Sequence, residues 1–524
     1  MTRPRPQPPV GGRRDAGRCN DDGVGAAAVG RFAWRRRPGT RAGCCAAAVA
    51  LGIGLAACAV GPDYQPPRPE MPVAWKLEAP WRVGTPDDAL AKGPWWQRFG
   101  DPQLDALQQQ ALSNSPTLAL VAARLTQARA ALAATSAPLL PQLGIGGRAT
   151  RQAISANRPL TNYASSNSAT VQNDLVLSMS VSYEADLAGR ISRAVEGARA
   201  SAEQAVADLE NTRLVLTAEL ASNYVNLRAI DAEVDVLNRS IALQQRALDL
   251  VTARHELGAA TGLDVAQQQA LLDTTRVQVD VLQRQRGQFE HAVATLAGIP
   301  APLFSLAPQP HDMTPPAVPL GVPSDVLERR PDIAAAERAM AAANAQIGVA
   351  TAAFYPSVTL GPSVGLQSRA LASLFDASSL LWSLGVSASQ VLFDNGRIAA
   401  NVDAARAAHA GATATYRRVV LTAMQEVEDG ITGLAALERA AAQSRIAVAT
   451  AGRVLDMASA RYEGGASTYL DVITAQQSLL TVERQATQLL GQRLLTSVFL
   501  VKALGGDWQR PVVLGSAASG SAAR

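Results

Sequence analysis

Thiols are missing from almost the whole chain. All four cysteines, Cys19, Cys44, Cys45 and Cys58, fall within the first 58 of 524 residues. The 466 residues that follow can hold neither a disulfide framework nor a cysteine-ligated zinc. Aromatic residues are scarce as well, 4% against 48% hydrophobic residues overall. A single compact core of this size carries more of them, and the alanine found in their place suits closely packed helices. The four histidines, His255, His291, His311 and His409, are scattered, with no pair at metal-ligand spacing. No nucleophile elbow, phosphate loop or metal cluster can be read, so nothing supports an enzyme. Basic charge is lacking too once the N-terminus is set aside. The formal charge is +4, but residues 1–57 hold ten Arg and three acidic residues, which leaves about −3 on the rest. A basic nucleic-acid footprint is therefore not supported.

The N-terminal region reads as a leader. Arg35, Arg36, Arg37 and Arg41 precede an apolar run over 42–57, too short and too rich in Gly and Ala for a good membrane span but suited to a signal peptide. The run closes on Leu55, Ala56, Ala57 and Cys58, the small residues before a cysteine that mark a lipobox. The chemistry needs the Cys58 thiol for a diacylglyceryl group and, after cleavage, its new amine for a further acyl chain. Several chains anchor stably where one does not, each buried methylene contributing about 0.8 kcal/mol. Residues 1–30 are long for a leader and are compatible with a start codon placed too far upstream. Apart from these covalent lipids the sequence implies no cofactor.

Proline is absent from two long stretches, between Arg190 and Gly298 and between Gly396 and Gly506. These stretches belong to an internal repeat: residues 182–298 align without a gap on 389–505. Gly189, Arg190 and Ile191 match Gly396, Arg397 and Ile398, and Gly298 matches Gly505. Arg254, Glu256, Gly258, Thr261, Leu263 and Asp264 match Arg461, Glu463, Gly465, Thr468, Leu470 and Asp471. Each half opens with period-2 alternation that predicts strands over 142–154, 175–184, 357–367 and 382–392. Polar or mixed loops are expected near 155–170 and 368–380. Each strand is long enough to cross a bilayer when tilted, although alternation alone fits a soluble sandwich with one wet face equally well. A helix over about 190–256 follows, roughly 100 Å at 1.5 Å per residue. Leu220, Leu227, Val234, Ile241 and Leu248 recur in it every seven residues, with Asn223, Ile230, Leu237, Gln244 and Val251 three positions on. That is a heptad seam with two polar members. Return helices are expected over 262–297 and 468–504. Helices of this length pack laterally as coiled coils. Four strands cannot close a membrane barrel, and an open edge in lipid is forbidden, so the strands close with those of other chains. Physics alone says only that the copies are more than one.

Several segments together carry a family resemblance. Cys58, Gly61, Pro62, Asp63 and Tyr64, followed by Pro66 and Pro67, are similar to the mature start of lipid-anchored outer-membrane efflux factors. Trp95, Trp96, Phe99, Asp101, Pro102 and Leu104, then Ala111, Asn114 and Pro116, continue the likeness. Asp325, Leu327, Glu328, Arg329, Arg330, Pro331 and Asp332 add the linker between halves. The chain resembles the TolC-type outer-membrane factor family, OprM/NodT lipoprotein branch, from Cys58 to Trp508. The resemblance implies a mainly α fold with a membrane β-barrel, a homotrimer with four strands and long coiled-coil helices per chain. It implies a passive duct for drugs or other small toxic compounds in the outer membrane, reaching into the periplasm. The implied partners are a periplasmic adaptor, an inner-membrane RND-type transporter and outer-membrane lipid. The rival reading is an adaptor-type or structural coiled-coil lipoprotein, which would lack the two strand pairs. The segments are then 1–57 signal peptide, 58–100 anchored start, 101–298 first repeat, 299–330 linker, 331–506 second repeat and 507–524 tail. The linker, the stretch 65–100 and the C-terminus would form a belt around the helices.

The same resemblance places function at the two hairpin tips, 254–264 and 461–471. Arg254, Gly258, Arg461, Gly464 and Gly465 would dock the adaptor, although the glycines are also what any such turn requires. The gate would lie at the second tip, with Leu470, Asp471, Thr474 and Tyr462. Thr474 replaces an acid expected there. Asp471 either gates or only caps its helix, and Tyr462 would hold the tip shut by hydrogen bonding across helices.

Overall fold

A computed structural model describes residues 59–67, 94–155, 170–309, 313–316 and 329–506. The lipobox cysteine and the leader, 68–93, the loop 156–169, 310–312, 317–328 and the tail from 507 lie outside the described residues. After a short 3₁₀ turn (Trp95–Phe99), helices α1 (Pro102–Asn114) and α2 (Pro116–Ser136) lead to strands β1 (Gln142–Ile154) and β2 (Thr170–Ala185). Helix α3 (Arg190–Glu256) and its return α4 (Gly262–Leu296) complete the first half. The second half repeats the plan with α5 (Pro331–Ala352), β3 (Ser357–Ser368), β4 (Leu380–Ser389), α6 (Arg397–Glu463) and α7 (Tyr469–Ala503). Both long helices have 67 residues and both returns have 35.

The four strands form one antiparallel sheet in the order β1-β2-β3-β4, so β1 and β4 each leave one edge unpaired within the chain. Two of the expected strand limits move by three residues or more, the others by at most two. Strand β2 begins at Thr170, because β1 continues to Ile154 and pairs with it there. Strand β4 ends at Ser389, short of 392, because Ser389 pairs with Ser357, the first residue after Pro356. Proline offers no N–H to carry the ladder further. Val391 and Leu392 instead belong to the turn into α6.

Each long helix starts from a glycine with positive φ, Gly189 at 74° and Gly396 at 83°. A nearby carboxylate satisfies the free N–H groups of the first turn. Asp186 accepts from the backbone N–H of Ile191 and Ser192 at 2.9 and 2.7 Å, and Asp394 accepts from Gly396 and Ile398 at 3.0 and 2.8 Å. The capping acids are one position out of repeat register, yet they do the same work. The ends of the returns repeat as well. Gly298, φ 75°, stands where a Cβ would lie 2.6 Å from the Asn114 carbonyl oxygen, and Gly505, φ 88°, where one would lie 2.2 Å from that of Arg329. Asn114 and Arg329 each precede by two residues the proline that opens the next helix.

In the sheet-proximal part, α2 packs on α3, α3 on α5, and α5 on α6; below, α4 packs on α3, α3 on α7, and α7 on α6. Helix α6 therefore edges the layer along its whole length. The main core gathers the few aromatics, Trp95, Trp96, Phe99, Tyr224 and Tyr416, against Leu220, Leu227, Val427, Ile431, Val498 and Leu500. Both registers of the α3 heptad face inward at Leu220, Leu227, Leu237, Gln244 and Val251. The buried acid Asp231 is paired twice. Arg228 and Arg286 both reach Asp231, at 2.8 and 2.6 Å, and Arg286 donates to the Leu306 carbonyl at 2.6 Å. This network fastens the chain beyond α4 to α3, where a lone charge would cost several kcal/mol.

Candidate functional site

The sheet has two chemically distinct faces. On one, register aligns Gly144 with Ser180, Ser180 with Ser363 and Ser363 with Ser383, and likewise Thr359 with Ser387. Hydroxyls join across the strands, Ser363 to Ser383 at 2.9 Å and Thr359 to Ser387 at 2.6 Å. Gly365 keeps this face flat, since a Cβ there would lie 2.4 Å from the Leu177 carbonyl oxygen. Toward its far end Asp174 accepts from Arg148 at 2.8 Å and from Gln367 at 2.6 Å. The opposite face aligns Ile145, Met179, Val364 and Trp382, and beside them Tyr183, Leu360 and Val386. Trp382 and Leu384 stay 74% and 76% exposed. A contiguous apolar face of this kind needs an apolar surrounding. Among the described residues no helix is long and apolar enough to cross a membrane.

The hairpin tips lie at the other end of the long helices. Their turns are identical in backbone. Ala259 N–H donates to the Arg254 carbonyl and Ala466 N–H to that of Arg461, both at 2.8 Å, and Gly258 and Gly465 both have φ of 73°. Gly464 has φ −77°, which any residue adopts. The following helices open with matching capping boxes, Thr261 with Asp264 and Thr468 with Asp471. Asp471 Oδ2 accepts from the Thr468 N–H and hydroxyl at 3.3 Å each, so its carboxylate is engaged as a cap. Thr474 donates its hydroxyl to the Leu470 carbonyl at 2.8 Å. Leu257 and Leu470 remain 84% and 55% exposed.

The two hairpins are joined by residues the sequence did not single out. Buried Tyr469, the first residue of α7, donates its hydroxyl to Oε1 of buried Gln268 on α4 at 2.9 Å. Gln268 in turn donates to the Gln244 carbonyl at 2.9 Å. Tyr462, expected to hydrogen bond across helices, contributes its ring instead. It lies 5.0 Å from the Tyr469 ring, and the Arg254 guanidinium sits 4.9 Å above it. Burial, and then the neighbouring Tyr462 and Asp264, push the Tyr469 phenol up from its usual range, so it remains a donor at any physiological pH. In the repeat, Tyr469 corresponds to Gly262 and Gln268 to Ala475. Each small residue stands opposite a large one in the other half, and that asymmetry was the available signal.

The family described as "Outer membrane efflux protein" matches residues 107–299 and 322–506. The pyoverdine export outer membrane protein OpmQ of Pseudomonas aeruginosa is 34% identical over 443 residues, 84% of this chain and 91% of OpmQ. The toluene efflux pump outer membrane protein TtgF of Pseudomonas putida is 32% identical over 473 residues, covering 88% and 96%. Among solved structures, the outer-membrane channel OprN superposes with a TM-score of 0.78 at 29% identity, over 86% of this chain and 99% of OprN.

Proposed function

Because this chain belongs to the outer membrane efflux protein family, we propose that three copies close into a passive exit duct whose periplasmic end docks an adaptor and, through it, an inner-membrane RND-type transporter. The observation that carries this is the two-faced sheet with two unpaired edges. An edge in lipid costs several kcal/mol for each unpaired backbone group, and joining β4 of one copy to β1 of the next removes every edge. The apolar face then meets lipid, and the Gly/Ser face lines a lumen. An adaptor-type coiled-coil lipoprotein has no use for such a sheet. The duct is in the outer membrane and is not an enzyme. Its relatives are named for pyoverdine and for toluene at similar identity. Cargoes so unlike each other argue that the duct conducts and that the transporter chooses.

The Cys58 acyl groups anchor the N-terminus in this reading. The tips supply docking through the exposed turns around Arg254, Gly258, Arg461, Gly464 and Gly465, with Leu257 as an apolar knob. Leu470, Asp471, Thr474 and Tyr462 form the gate region. Three copies of Leu470 around one axis make an apolar constriction, with Asp471 holding the first turn in place by its cap. Gly465→Val tests docking. It forces a β-branched residue into the left-handed region, about 1–2 kcal/mol, while nothing within 4 Å of the site obstructs a Cβ. Trimers should therefore persist and cross-linking to the adaptor should fall severalfold. Unchanged cross-linking would remove the docking assignment.

A further inference from the structure

The internal repeat gives this chain a map of its own neighbour. Along the seam between the two halves, α3 packs on α5 near the sheet and on α7 below it. Helix α6 is the counterpart of α3, and α2 and α4 are the counterparts of α5 and α7. The offset is 207 residues for the long helices and their returns. It is 215 for α2 and α5, whose flanking prolines Pro116 and Pro141 match Pro331 and Pro356. Whatever α3 receives from the second half, α6 receives from α2 and α4 of the next copy once the copies close into a ring. That step rests on the closed ring proposed above.

Polar pairs hold the seam inside one chain. Arg338 on α5 bonds Glu203 on α3 at 2.8 Å. Lower down, buried Glu233 on α3 accepts from Arg484 on α7 at 2.5 Å and from Gln488 at 3.2 Å. At the tips Tyr469 donates to Gln268 at 2.9 Å. None of these pairs survives in the counterparts. Ala123 stands for Arg338 and Ala410 for Glu203. Val277 stands for Arg484, Val281 for Gln488 and Ala440 for Glu233, while Gly262 and Ala475 stand for Tyr469 and Gln268. One position runs the other way. Gly491, where a Cβ would lie 3.0 Å from the Ala229 Cβ, has Arg284 as its counterpart, a charge facing Ala436. Exposure agrees with the map. Val277 and Val281 are 61% and 46% exposed within one chain, one turn apart on α4, and both fall where the map puts a neighbour.

We propose that the two kinds of seam in the ring are chemically different: ion pairs join the halves of one chain, whereas close-packed Ala and Val join one copy to the next. Val277 and Val281 of one copy seat on Ala440 of its neighbour, and Ala123 meets Ala410 nearer the sheet. Apolar side chains depleted of charge suit the buried core of an interface between copies, and small ones let the helices approach until many short contacts add up. The two seams are not interchangeable. Arg484 set against Ala440 would lose its carboxylate, and Glu233 set against Val277 would be a buried charge alone, which disfavours the exchange. The seam chemistry thereby tells a first half from a second as the ring closes.

The test transplants the in-chain pair to the seam between copies, in the full chain purified in detergent. Ala440→Glu alone should lower the trimer fraction roughly tenfold at fixed concentration, because its carboxylate is buried against valine. Adding Val277→Arg should return the fraction to within about twofold of the parent, since the new pair is the one Arg484 makes with Glu233. A second pair of variants guards against a folding defect in the first. Val277→Cys with Ala440→Cys, treated with a short thiol cross-linker, should give covalent dimers and trimers, and either cysteine alone should give neither. Trimers whose two cysteines do not join copies overturn the seam and leave the duct standing. So does an Ala440→Glu trimer as abundant as the parent, or a loss that Val277→Arg does not relieve. A parent that is monomeric in the same detergent overturns the duct reading instead, and the seam with it.

Discussion

Gly505→Val is expected to abolish the trimer, and Gly298→Val to do nearly as much. Both positions have φ near 80°, where a β-branched residue is strained by about 1–3 kcal/mol. The greater cost is steric. A Cβ at Gly505 would lie 2.2 Å from the Arg329 carbonyl oxygen, and that backbone cannot retreat freely. The next residue, Arg330, is buried and pins three elements, with bonds of 2.7 Å to Asp332, 2.5 Å to Glu426 and 3.0 Å to the Ala503 carbonyl. Moving Arg329 strips partners from a buried guanidinium, which costs about 3–5 kcal/mol. The control is Gly258→Val at a tip, with φ of 73° and nothing within 4 Å of the added Cβ. Its cost is the local strain alone. Thermal unfolding followed by helical circular dichroism should show Gly505→Val unfolding far below the parent and Gly258→Val within a few degrees. Equal loss in both would mean that φ, and not the packed junction, governs these glycines.

Tyr469→Phe is expected to raise resting conductance roughly tenfold while leaving the trimer intact. The substitution deletes one hydroxyl and leaves the buried Oε1 of Gln268 without that donor, a loss of about 1–3 kcal/mol. The bond joins α7 to α4, so any opening that parts the second hairpin from the first breaks it. A bond present only in the closed arrangement biases the equilibrium by its full worth, and 1.4 kcal/mol is a factor of about ten. Gln268→Leu should act in the same direction, and the double variant should add little, because both remove one interaction. Asp471→Ala should instead lower stability by about 0.5–2 kcal/mol through its lost cap, with a smaller change in conductance. If Tyr469→Phe conducts as the parent does, the hairpins open without parting at this point.

Most of the architecture was legible because it rests on local rules applied over long stretches. Two spans without proline, each closed by a glycine, set the helix lengths, and alternation from Leu175 to Tyr183 marked a strand before any partner was known. The end of β4 was not legible, since it depends on Pro356 lying across from it in the sheet. The hairpin latch escaped for a related reason. Read singly, Gln268 is one more polar residue on a helix and Tyr469 one more first-turn residue. Only folding brings them together across 201 positions. The pairing of the N-terminal stretch with the helices was not legible either: buried Arg193 donates to Asp63 at 2.6 Å and buried Glu337 accepts from Tyr64 at 2.7 Å, across 130 and 273 positions.

The most direct test of the duct itself is conductance of the purified, detergent-extracted protein in planar bilayers, beside its mass in the same detergent. The account predicts a trimer mass and discrete channel events that become larger or longer-lived with Tyr469→Phe. A soluble monomer that needs no detergent, or trimers that pass no current even with the latch removed, would contradict it.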